Sequence, residues 1–360
     1  METGSRKGWE NYIRRVRPYV PGEQPKDKSI VKLNTNENPF PPSPKVQRLL
    51  NNLDAEIFRL YPDPAMELLV EELAKFYGVG KEHVFVGVGS DDVLSMAFLT
   101  FFNSGKPVLF PDITYSFYPV WCELYKIPYE TQPLDENFRI SVGDYYKENG
   151  GVIIANPNAP TSIYEDLDVI EDIVAHNRDS VVIIDEAYVD YGGESAIPLT
   201  GRYENLLVVQ TFSKSRSMAG MRIGYAIGSE KLIKALNDVK YSFNSYTLNQ
   251  VAILAGAEEV RDRDYFYERI EKVIKLREYA EERLEKLGFD FPKSSANFLF
   301  ATHKSVHAKE LYEVLRSNKI FVRYFNLPRI DNYLRISIGT RQQMDKLFDF
   351  LESYLSGRDN

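Results

Sequence analysis

The stretch VVIIDEAYVDYGGESAIPLTGRYENLLVVQTFSK, residues 181–214, carries the clearest structural pattern in the chain. It contains two short and mostly apolar runs, Val181–Ile184 and Leu206–Gln210, and each run is followed by polar side chains. Apolar runs without alternation are typical of strands that are buried on both faces of a parallel sheet. The polar groups that follow them would lie at the carboxyl edge of that sheet, where open α/β folds bind their ligands.

The same pattern continues on both sides of this stretch. Further apolar runs lie at residues 83–86, 107–110, 152–155 and 223–227, and segments with helical periodicity separate several of them, including 64–77 and 90–102. We therefore predict an α/β fold with a mostly parallel sheet flanked by helices. Strand candidates at 297–301, 320–322 and 334–337, together with two helices, predict a second, small α+β domain.

Composition narrows the class of protein. The 360 residues exceed what one hydrophobic core usually serves, so two domains are expected. The net charge of −8 disfavours nucleic-acid binding, and one cysteine, Cys122, excludes an internal disulfide or a cysteine-clustered metal site. The start of the chain lacks an apolar segment, and no apolar run is long enough to span a bilayer. We expect a cytoplasmic protein that does not enter a membrane.

A glycine motif, Val86-Gly87-Val88-Gly89-Ser90-Asp91-Asp92, lies between a predicted strand and a predicted helix. Glycines allow close approach of the backbone, and the free N–H groups of a helix start favour a phosphate. The alternative is an ordinary turn in which Ser90 caps the helix. A dinucleotide site would need a third glycine where Asp92 stands, which weakens the interpretation as a nicotinamide dehydrogenase.

Two polar turns follow predicted strands further along the chain. Residues 156–162 (NPNAPTS) place Asn158 at a strand end, or form a proline-fixed turn in which Asn158 bonds its own backbone. Asp185 and Tyr188 follow Val181–Ile184 and could face one ligand from the same edge. An Asp-Glu pair at a strand end also suggests metal-dependent nucleotide hydrolysis, but the chain has no P-loop to accompany it.

The fourth motif is Thr211-Phe212-Ser213-Lys214, with Arg222 eight positions after Lys214. A lysine just past an apolar strand is partly desolvated, which favours Schiff-base chemistry, although most lysines simply face solvent. His303 and His307 have an i, i+4 spacing, but no third ligand for zinc is evident, and we expect no metal.

Taken in order, these four motifs resemble the fold-type I pyridoxal-phosphate aminotransferases of the aspartate aminotransferase superfamily. The segments Asn34–Pro39 (NTNENP), Tyr61–Asp63 (YPD) and Leu334–Thr340 (LRISIGT) are similar to the histidinol-phosphate aminotransferase branch. The resemblance covers nearly the whole chain and implies a seven-stranded sheet. It implies an N-terminal arm over residues 1–40 that partly joins the small domain, a large cofactor domain over 41–245, and a linking helix with the small domain over 246–360.

The resemblance also implies roles for the cofactor residues of a pyridoxal 5'-phosphate enzyme. Lys214 would bind the cofactor covalently and move the proton at the substrate Cα, while Asp185 would pair with the pyridine nitrogen. Tyr188 and Asn158 would contact the phenolic oxygen, and Tyr115 would stack on the ring. The phosphate would bind Ser90, Asp91, Ser213 and Arg222, and Tyr61 of the neighbouring subunit, in a homodimer with shared active sites.

Substrate residues follow from the same resemblance. Arg335 would bind the acidic end of the substrates and Arg323 a substrate phosphate, while Tyr19 would cover the site from the arm. Asn36 and Glu37 belong to the N-terminal motif, with Glu37 a candidate for contacting an imidazole. Two positions depart from many relatives: Ala159 and Ser162 stand where Asn and Gly are common, which puts the role of Asn158 in doubt.

The activity that this resemblance implies is amino transfer between L-histidinol phosphate and 2-oxoglutarate in L-histidine biosynthesis. An aromatic amino-acid aminotransferase would share every cofactor residue, so the cofactor motifs do not separate the two. A threonine-phosphate decarboxylase of similar sequence is a further alternative. A cofactor-dependent regulator would need a DNA-binding domain, and residues 1–63 contain no helix-turn-helix pattern.

Overall fold

A computed structural model describes residues 8–27 and 29–357. Its strands, in chain order, are β1 (Val31–Lys32), β2 (Val84–Gly87), β3 (Val108–Pro111), β4 (Tyr129–Gln132), β5 (Gly151–Ala155), β6 (Val182–Asp185), β7 (Leu206–Thr211), β8 (Gly224–Gly228), β9 (Phe289–Asp290), β10 (Phe298–His303), β11 (Ile320–Phe321), β12 (Arg323–Tyr324) and β13 (Leu334–Ser337). Its α-helices are α1 (Pro44–Asn51), α2 (Glu67–Tyr77), α3 (Ser90–Phe101), α4 (Tyr118–Tyr125), α5 (Leu167–His176), α6 (Glu230–Phe243), α7 (Gln250–Arg261), α8 (Arg263–Lys286), α9 (Ala308–Ser317) and α10 (Arg341–Ser356).

Seven strands form the large sheet, in the order β2-β8-β7-β6-β5-β3-β4. Strand β8 runs antiparallel to its neighbours β2 and β7, and the other adjacent strands are parallel. Every residue of β5, β6 and β7 is buried, which explains the unbroken apolar runs in their sequences. The predicted mostly parallel, seven-stranded sheet is therefore confirmed.

Helices cover both faces of the large sheet. Helices α2, α5 and α7 pack on one face, where Leu73, Ile173 and Ile253 join one hydrophobic core. Helices α3 and α4 pack on the other face through Phe98 and Trp121. With both faces covered, the strand ends are the places where side chains can meet a ligand, and the polar side chains that follow the strands gather there.

A second sheet of four antiparallel strands, in the order β12-β13-β10-β9, lies within the C-terminal part of the chain. Its core takes side chains from α8, α9 and α10, and β1 from the N-terminal segment pairs with β11. This is the predicted small α+β unit. The core of the large sheet extends to Val260, and the core of the second sheet, apart from Val31, Leu33 and Tyr191, begins at Phe266, while the predicted domain boundaries stay predictions.

Some elements have no clear pattern in the sequence. Strand β4 (YETQ) is an edge strand with mostly exposed residues, so it lacks an apolar run. Helix α1 begins at Pro44 inside a proline-rich segment, where the Ser43 hydroxyl accepts a hydrogen bond from the Lys45 N–H.

Helix α8 is the longest, with 24 residues, yet among the described residues no helix is long and apolar enough to cross a membrane.

Candidate active site

The carboxyl edge of the large sheet faces the second sheet across a cavity of about 700 Å³. That volume lies in the range of small-molecule sites. Of the fifteen predicted site residues, the structure brings thirteen together on its wall: Tyr19, Asn36, Glu37, Ser90, Asp91, Tyr115, Asp185, Tyr188, Ser213, Lys214, Arg222, Arg323 and Arg335. The other two, Asn158 and Tyr61, do not line it.

One end of the cavity is a cradle built on the start of α3. Gly89 precedes the helix with φ of 87°, and no side chain caps the first turn, so its N–H groups are open to an anion. A Cβ on Gly89 would lie 2.6 Å from the Arg222 guanidinium, and one on Gly224 would lie 2.2 Å from the Ser90 nitrogen. Glycine is therefore required at both positions for this close approach.

Two side chains complete the cradle beside the helix start. The Arg222 guanidinium lies 3.5 Å from the Ser213 hydroxyl oxygen and 3.6 Å from a carboxylate oxygen of Asp91. A guanidinium, a hydroxyl and open backbone N–H groups are the donors that bind a phosphate. This end of the cavity can therefore bind a phosphorylated ligand in spite of the net charge of the chain.

Asp185 ends β6 with only 5% of its surface exposed. Burial raises the pKa of this carboxyl to about 6, although the Tyr118 hydroxyl donates to it at 2.9 Å and the Ala187 N–H donates at 3.3 Å. A cationic ligand group beside Asp185 would reverse the effect of burial and keep the carboxylate ionised. Asp185 is thus suited to hold a positive charge.

Lys214 lies three residues past the end of β7 and points into the cavity. Its ammonium donates to the Thr35 carbonyl at 3.2 Å and lies 5.4 Å from the centre of the Tyr188 ring. Lys214 is the one lysine among the described residues that line the cavity. An amine in that position can form a Schiff base with an aldehyde ligand.

Aromatic side chains form one side of the cavity. The Tyr115 hydroxyl donates to Asp91 at 2.8 Å, and burial raises its pKa well above the ordinary value. Tyr19 comes from the N-terminal arm and stacks on Phe117 with ring centres 4.2 Å apart. Burial also raises the pKa of Tyr19, against the opposing effect of Arg323 and Arg335.

The N-terminal motif crosses the cavity beside Tyr188. Asn36 is buried with φ of 56°, and its amide donates to the Tyr188 hydroxyl at 3.0 Å. The Ser337 hydroxyl accepts from the Asn36 N–H and donates to its side-chain oxygen, which ties the segment to β13. Burial opposes ionisation of Glu37, but hydrogen bonds from Lys32 and Thr35 outweigh it and lower the pKa.

Two arginines of the second sheet also line the cavity. Arg323 and Arg335 are directly opposed on β12 and β13. Arg335 donates to the Asn34 carbonyl at 3.0 Å, but its buried Nε has no hydrogen-bond partner among the described residues, and burial lowers the pKa of the Arg335 guanidinium. In the described part of the chain neither guanidinium is paired with a carboxylate. Opposed like charges are unfavourable, so an anionic ligand would stabilise this pair.

The remaining two predicted residues lie outside the cavity wall. The Asn158 side chain is satisfied by hydrogen bonds with Thr161 in its own turn and with Ile113 and Thr114 in the segment after β3. Ser162 in the same turn has φ of 64°, a conformation that glycine adopts more easily. Tyr61 is 81% exposed and stacks on Tyr246 with ring centres 4.7 Å apart.

The structure adds contacts that sequence reasoning missed. Tyr118 bonds Asp185, and the Asn38 amide donates to the carbonyls of Lys214 and Ser215. Tyr118 lies in the same PDITYSFY segment as Tyr115. That segment places both tyrosines near the site in sequence, but it does not indicate which tyrosine faces which ligand. Within residues 8–27 and 29–357, no three His, Cys, Asp or Glu side chains are placed to hold a metal.

Comparison with known proteins assigns the family. The model of the family "Aminotransferase class I and II" matches residues 28–351. A histidinol-phosphate aminotransferase of Clostridium botulinum is 50% identical over 350 residues, covering 97% of this chain and 99% of that protein. One from Lactococcus lactis subsp. lactis is 50% identical over 347 residues, covering 96% of each.

A solved structure agrees with this family at the level of the fold. Histidinol-phosphate aminotransferase from Sinorhizobium meliloti, in complex with pyridoxal-5'-phosphate, superposes with a TM-score of 0.83 at 21% identity, over 90% of each chain. The family match, which extends over nine-tenths of the sequence, and the half-identical relatives lead to one assignment. The chain belongs to the class I and II aminotransferases, in the histidinol-phosphate aminotransferase branch.

Proposed function

We propose that this chain catalyses reversible amino transfer between L-histidinol phosphate and 2-oxoglutarate, giving imidazole acetol phosphate and L-glutamate, in L-histidine biosynthesis. One observation carries the proposal: a single cavity is lined by the phosphate cradle of the large sheet, by the unpaired arginine couple of the second sheet, and by Lys214. Two separate anion sites suit a phosphorylated cofactor and an acidic substrate bound together. The half-identical relatives bear the name of this activity.

The cofactor of this reaction is pyridoxal 5'-phosphate, and the residues present fit it. The glycine-lined cradle at α3 would bind its phosphate, with Ser213 and Arg222 as side-chain donors. Buried Asp185 would pair with its pyridine nitrogen, and Tyr115 would lie against the ring. When bound, pyridoxal phosphate supplies the ring that accepts the electron pair of the substrate's Cα–H bond.

The chain's own groups then act on the substrate as follows. Lys214 would hold the cofactor through its aldehyde, and its amine, when free, would remove the proton from the substrate Cα. Asp185, ionised opposite a cation, would keep the ring nitrogen protonated. The Tyr188 hydroxyl, to which the Asn36 amide donates at 3.0 Å, would donate to the phenolic oxygen. Asn158 would assist it only if its side chain leaves its hydrogen bonds with Ile113, Thr114 and Thr161.

Arg335 and Arg323 would bind the acidic end of either substrate. A guanidinium pairs with a phosphate or a carboxylate through two parallel N–H donors, so one residue can serve both substrates in turn. The unpartnered Nε of Arg335 supports this role, since a bound oxyanion would satisfy it. Tyr19 and Glu37 would lie beside the substrate, with Glu37 near an imidazole.

We also propose a homodimer with shared active sites. Tyr61 stacks on Tyr246, and near these two residues in the sequence Phe58, Leu60 and Phe243 are exposed apolar side chains as well. Each is at least 44% exposed, and exposed apolar patches on a protein surface mark interfaces. With Tyr61 at such an interface, its hydroxyl would reach the cofactor phosphate of the second copy.

A cytoplasmic location is part of the same proposal. Cys122 is buried in α4, and burial raises the pKa of its thiol to about 12. Oxidising compartments favour disulfides, and a chain with one buried, unreactive thiol forms none within itself.

A substrate panel on the purified protein tests the function. We expect kcat/KM for imidazole acetol phosphate, with glutamate as amino donor, to exceed that for phenylpyruvate by roughly 100-fold, because a phosphate has more charge and one more oxygen than a carboxylate to share between the two arginines. A clear preference for phenylpyruvate would contradict the proposal in favour of an aromatic amino-acid aminotransferase. Release of CO₂ from threonine phosphate would instead indicate the decarboxylase.

A further inference from the structure

A buried pair of charged side chains connects the loop that carries Lys214 to α7, α8 and the N-terminal segment. The pair consists of Arg269 on α8, which is 2% exposed, and its counter-ion Glu259 on α7, which is fully buried. The two side chains form an ion pair of 2.5 Å. Buried arginine is rare unless it is fully hydrogen-bonded, so the remaining donors of Arg269 indicate what this charge holds in place.

Each of the other two nitrogens of the Arg269 guanidinium donates to a backbone carbonyl. Its Nε donates to the Ser215 carbonyl at 3.0 Å, one residue after Lys214. One terminal nitrogen donates to the Pro41 carbonyl at 3.2 Å. The guanidinium thereby bonds the lysine loop, the N-terminal segment and α7 at the same time. Lysine, with a single nitrogen, could not bond three groups in these directions.

The N-terminal segment meets the same loop from the other side. The Asn38 amide donates to the Lys214 carbonyl at 3.2 Å and the Ser215 carbonyl at 3.3 Å. Residues 39–42 (PFPP) contain three prolines, which have no N–H to bond a neighbour. The segment therefore depends on donors from outside, including Arg269, and on the Ser43 N–H, which donates to Glu259 at 2.8 Å.

These contacts lie on both sides of the Lys214 amine, the group that would react. The Lys214 ammonium bonds the Thr35 carbonyl, and Thr35 lies on the segment that leads into residues 38–43. Arg269 thus bonds the backbone next to Lys214, and it also bonds the N-terminal segment whose Thr35 carbonyl accepts from the Lys214 amine. We propose that Arg269, with Glu259, is a positioning residue that sets Lys214 relative to Asp185 and the cofactor phosphate. This inference rests on the proposed function and deepens it.

The test compares Arg269→Lys with Arg277→Lys in the holoenzyme. Arg277 is also buried on α8, but its bonds go to the carbonyls of Tyr191 and Ala296, without contact to the 213–216 loop. We expect R269K to lower kcat at least about 10-fold and to change KM for histidinol phosphate less than about 2-fold, because Arg323 and Arg335 are untouched. It should also shift the pH at which the absorbance of bound cofactor changes. R277K should leave kcat and the pH of this absorbance change as they are in the wild type.

Thermal unfolding distinguishes a positioning role of Arg269 from a purely structural one. If R269K lowers Tm as R277K does but keeps the wild-type kcat and absorbance profile, the inference is wrong. If R269K does not fold, Asn38→Ala removes the second contact with the loop without breaking an ion pair, and it should give the same spectral shift. A wild-type protein without a cofactor band would instead defeat the proposed function, so the two failures are distinct.

Discussion

At the scale of single residues, Arg335 is the side chain on which substrate choice depends most. Its guanidinium has one fixed bond, to the Asn34 carbonyl, and a buried Nε left for a ligand. Arg335→Lys keeps the charge but loses the planar pair of donors. We expect kcat/KM for histidinol phosphate to fall about 100-fold, measured by steady-state kinetics, since a charge-assisted bidentate contact contributes ~2–3 kcal/mol.

A surface arginine provides the matched control for this substitution. Arg341 on α10 pairs with Asp345 and is 61% exposed at its side chain. Arg341→Lys should leave the kinetics unchanged. A similar loss in both variants would mean that R335K acts through folding, and wild-type kinetics in R335K would remove Arg335 from the substrate site.

The buried carboxyl of Asp185 makes the stability of the cofactor-free protein depend on pH. Burial raises its pKa from 3.8 to about 6, so the folded state binds its proton more tightly than the unfolded chain does. Stability should therefore be greatest below about pH 4 for this group and fall as pH rises to about 6, by on the order of 2 kcal/mol. Glu186, raised by burial from 4.5 to about 7, acts in the same direction.

Asp185→Asn isolates the contribution of Asp185. We expect the Tm of cofactor-free D185N and wild type to agree near pH 4, where both side chains are neutral. Above pH 6 the variant should be the more stable, because it has no charge to bury. Equal Tm values at pH 7.5, measured by scanning calorimetry, would show that the carboxylate is not penalised in the fold. In the holoenzyme the order should reverse, since the ring nitrogen loses its partner.

At the scale of elements, the start of α3 is where cofactor affinity should be most sensitive to one methyl group. Gly89→Ala would place a Cβ 2.6 Å from the Arg222 guanidinium and force alanine to φ of 87°. We expect at least about a 10-fold weaker cofactor affinity, measured by dialysis and absorbance, because the helix N–H groups and Arg222 could no longer converge on one phosphate.

Gly105→Ala controls for backbone strain alone. Gly105 has φ of 77°, but a Cβ there would meet no atom within 4 Å. Both variants should lose about 1 kcal/mol of stability through the left-handed conformation, while only G89A should lose cofactor. Equal cofactor affinity in the two variants would contradict the cradle.

The elements also show how far the sequence could predict the fold. Strands β5 to β7 were predictable because buried parallel strands need unbroken apolar runs, and Asp185 and Lys214 were predictable because they follow those runs. Strand β4 was not, since an exposed edge strand needs no such run. Arg269 could not be predicted from its neighbours either: its partner carbonyl at Ser215 is 54 positions away, and only tertiary packing brings them together.

At the scale of the whole molecule, the proposed shared sites can be tested by mixing two defective chains. Lys214→Ala removes the amine from its own site, and Tyr61→Ala would remove the phosphate contact in the partner's site. In a mixed dimer, one site carries both changes and the other carries neither. We expect equal amounts, unfolded and refolded together, to recover roughly a quarter of wild-type activity.

Unmixed samples treated in the same way measure the background. Both should stay well below the activity of the mixture. A mixture that merely averages its two parents would mean that Tyr61 serves its own chain or none.

The opposed arginines of the second sheet have a practical consequence for handling the protein. Because Arg323 and Arg335 are opposed and neither pairs with a carboxylate of residues 8–27 or 29–357, free inorganic anions should compete with the substrates for these two side chains. Phosphate or sulfate buffer should raise the apparent KM of both substrates while making the protein harder to melt, since an ion that binds only the folded state stabilises it. Salt choice would thus alter activity and thermal resistance in opposite directions.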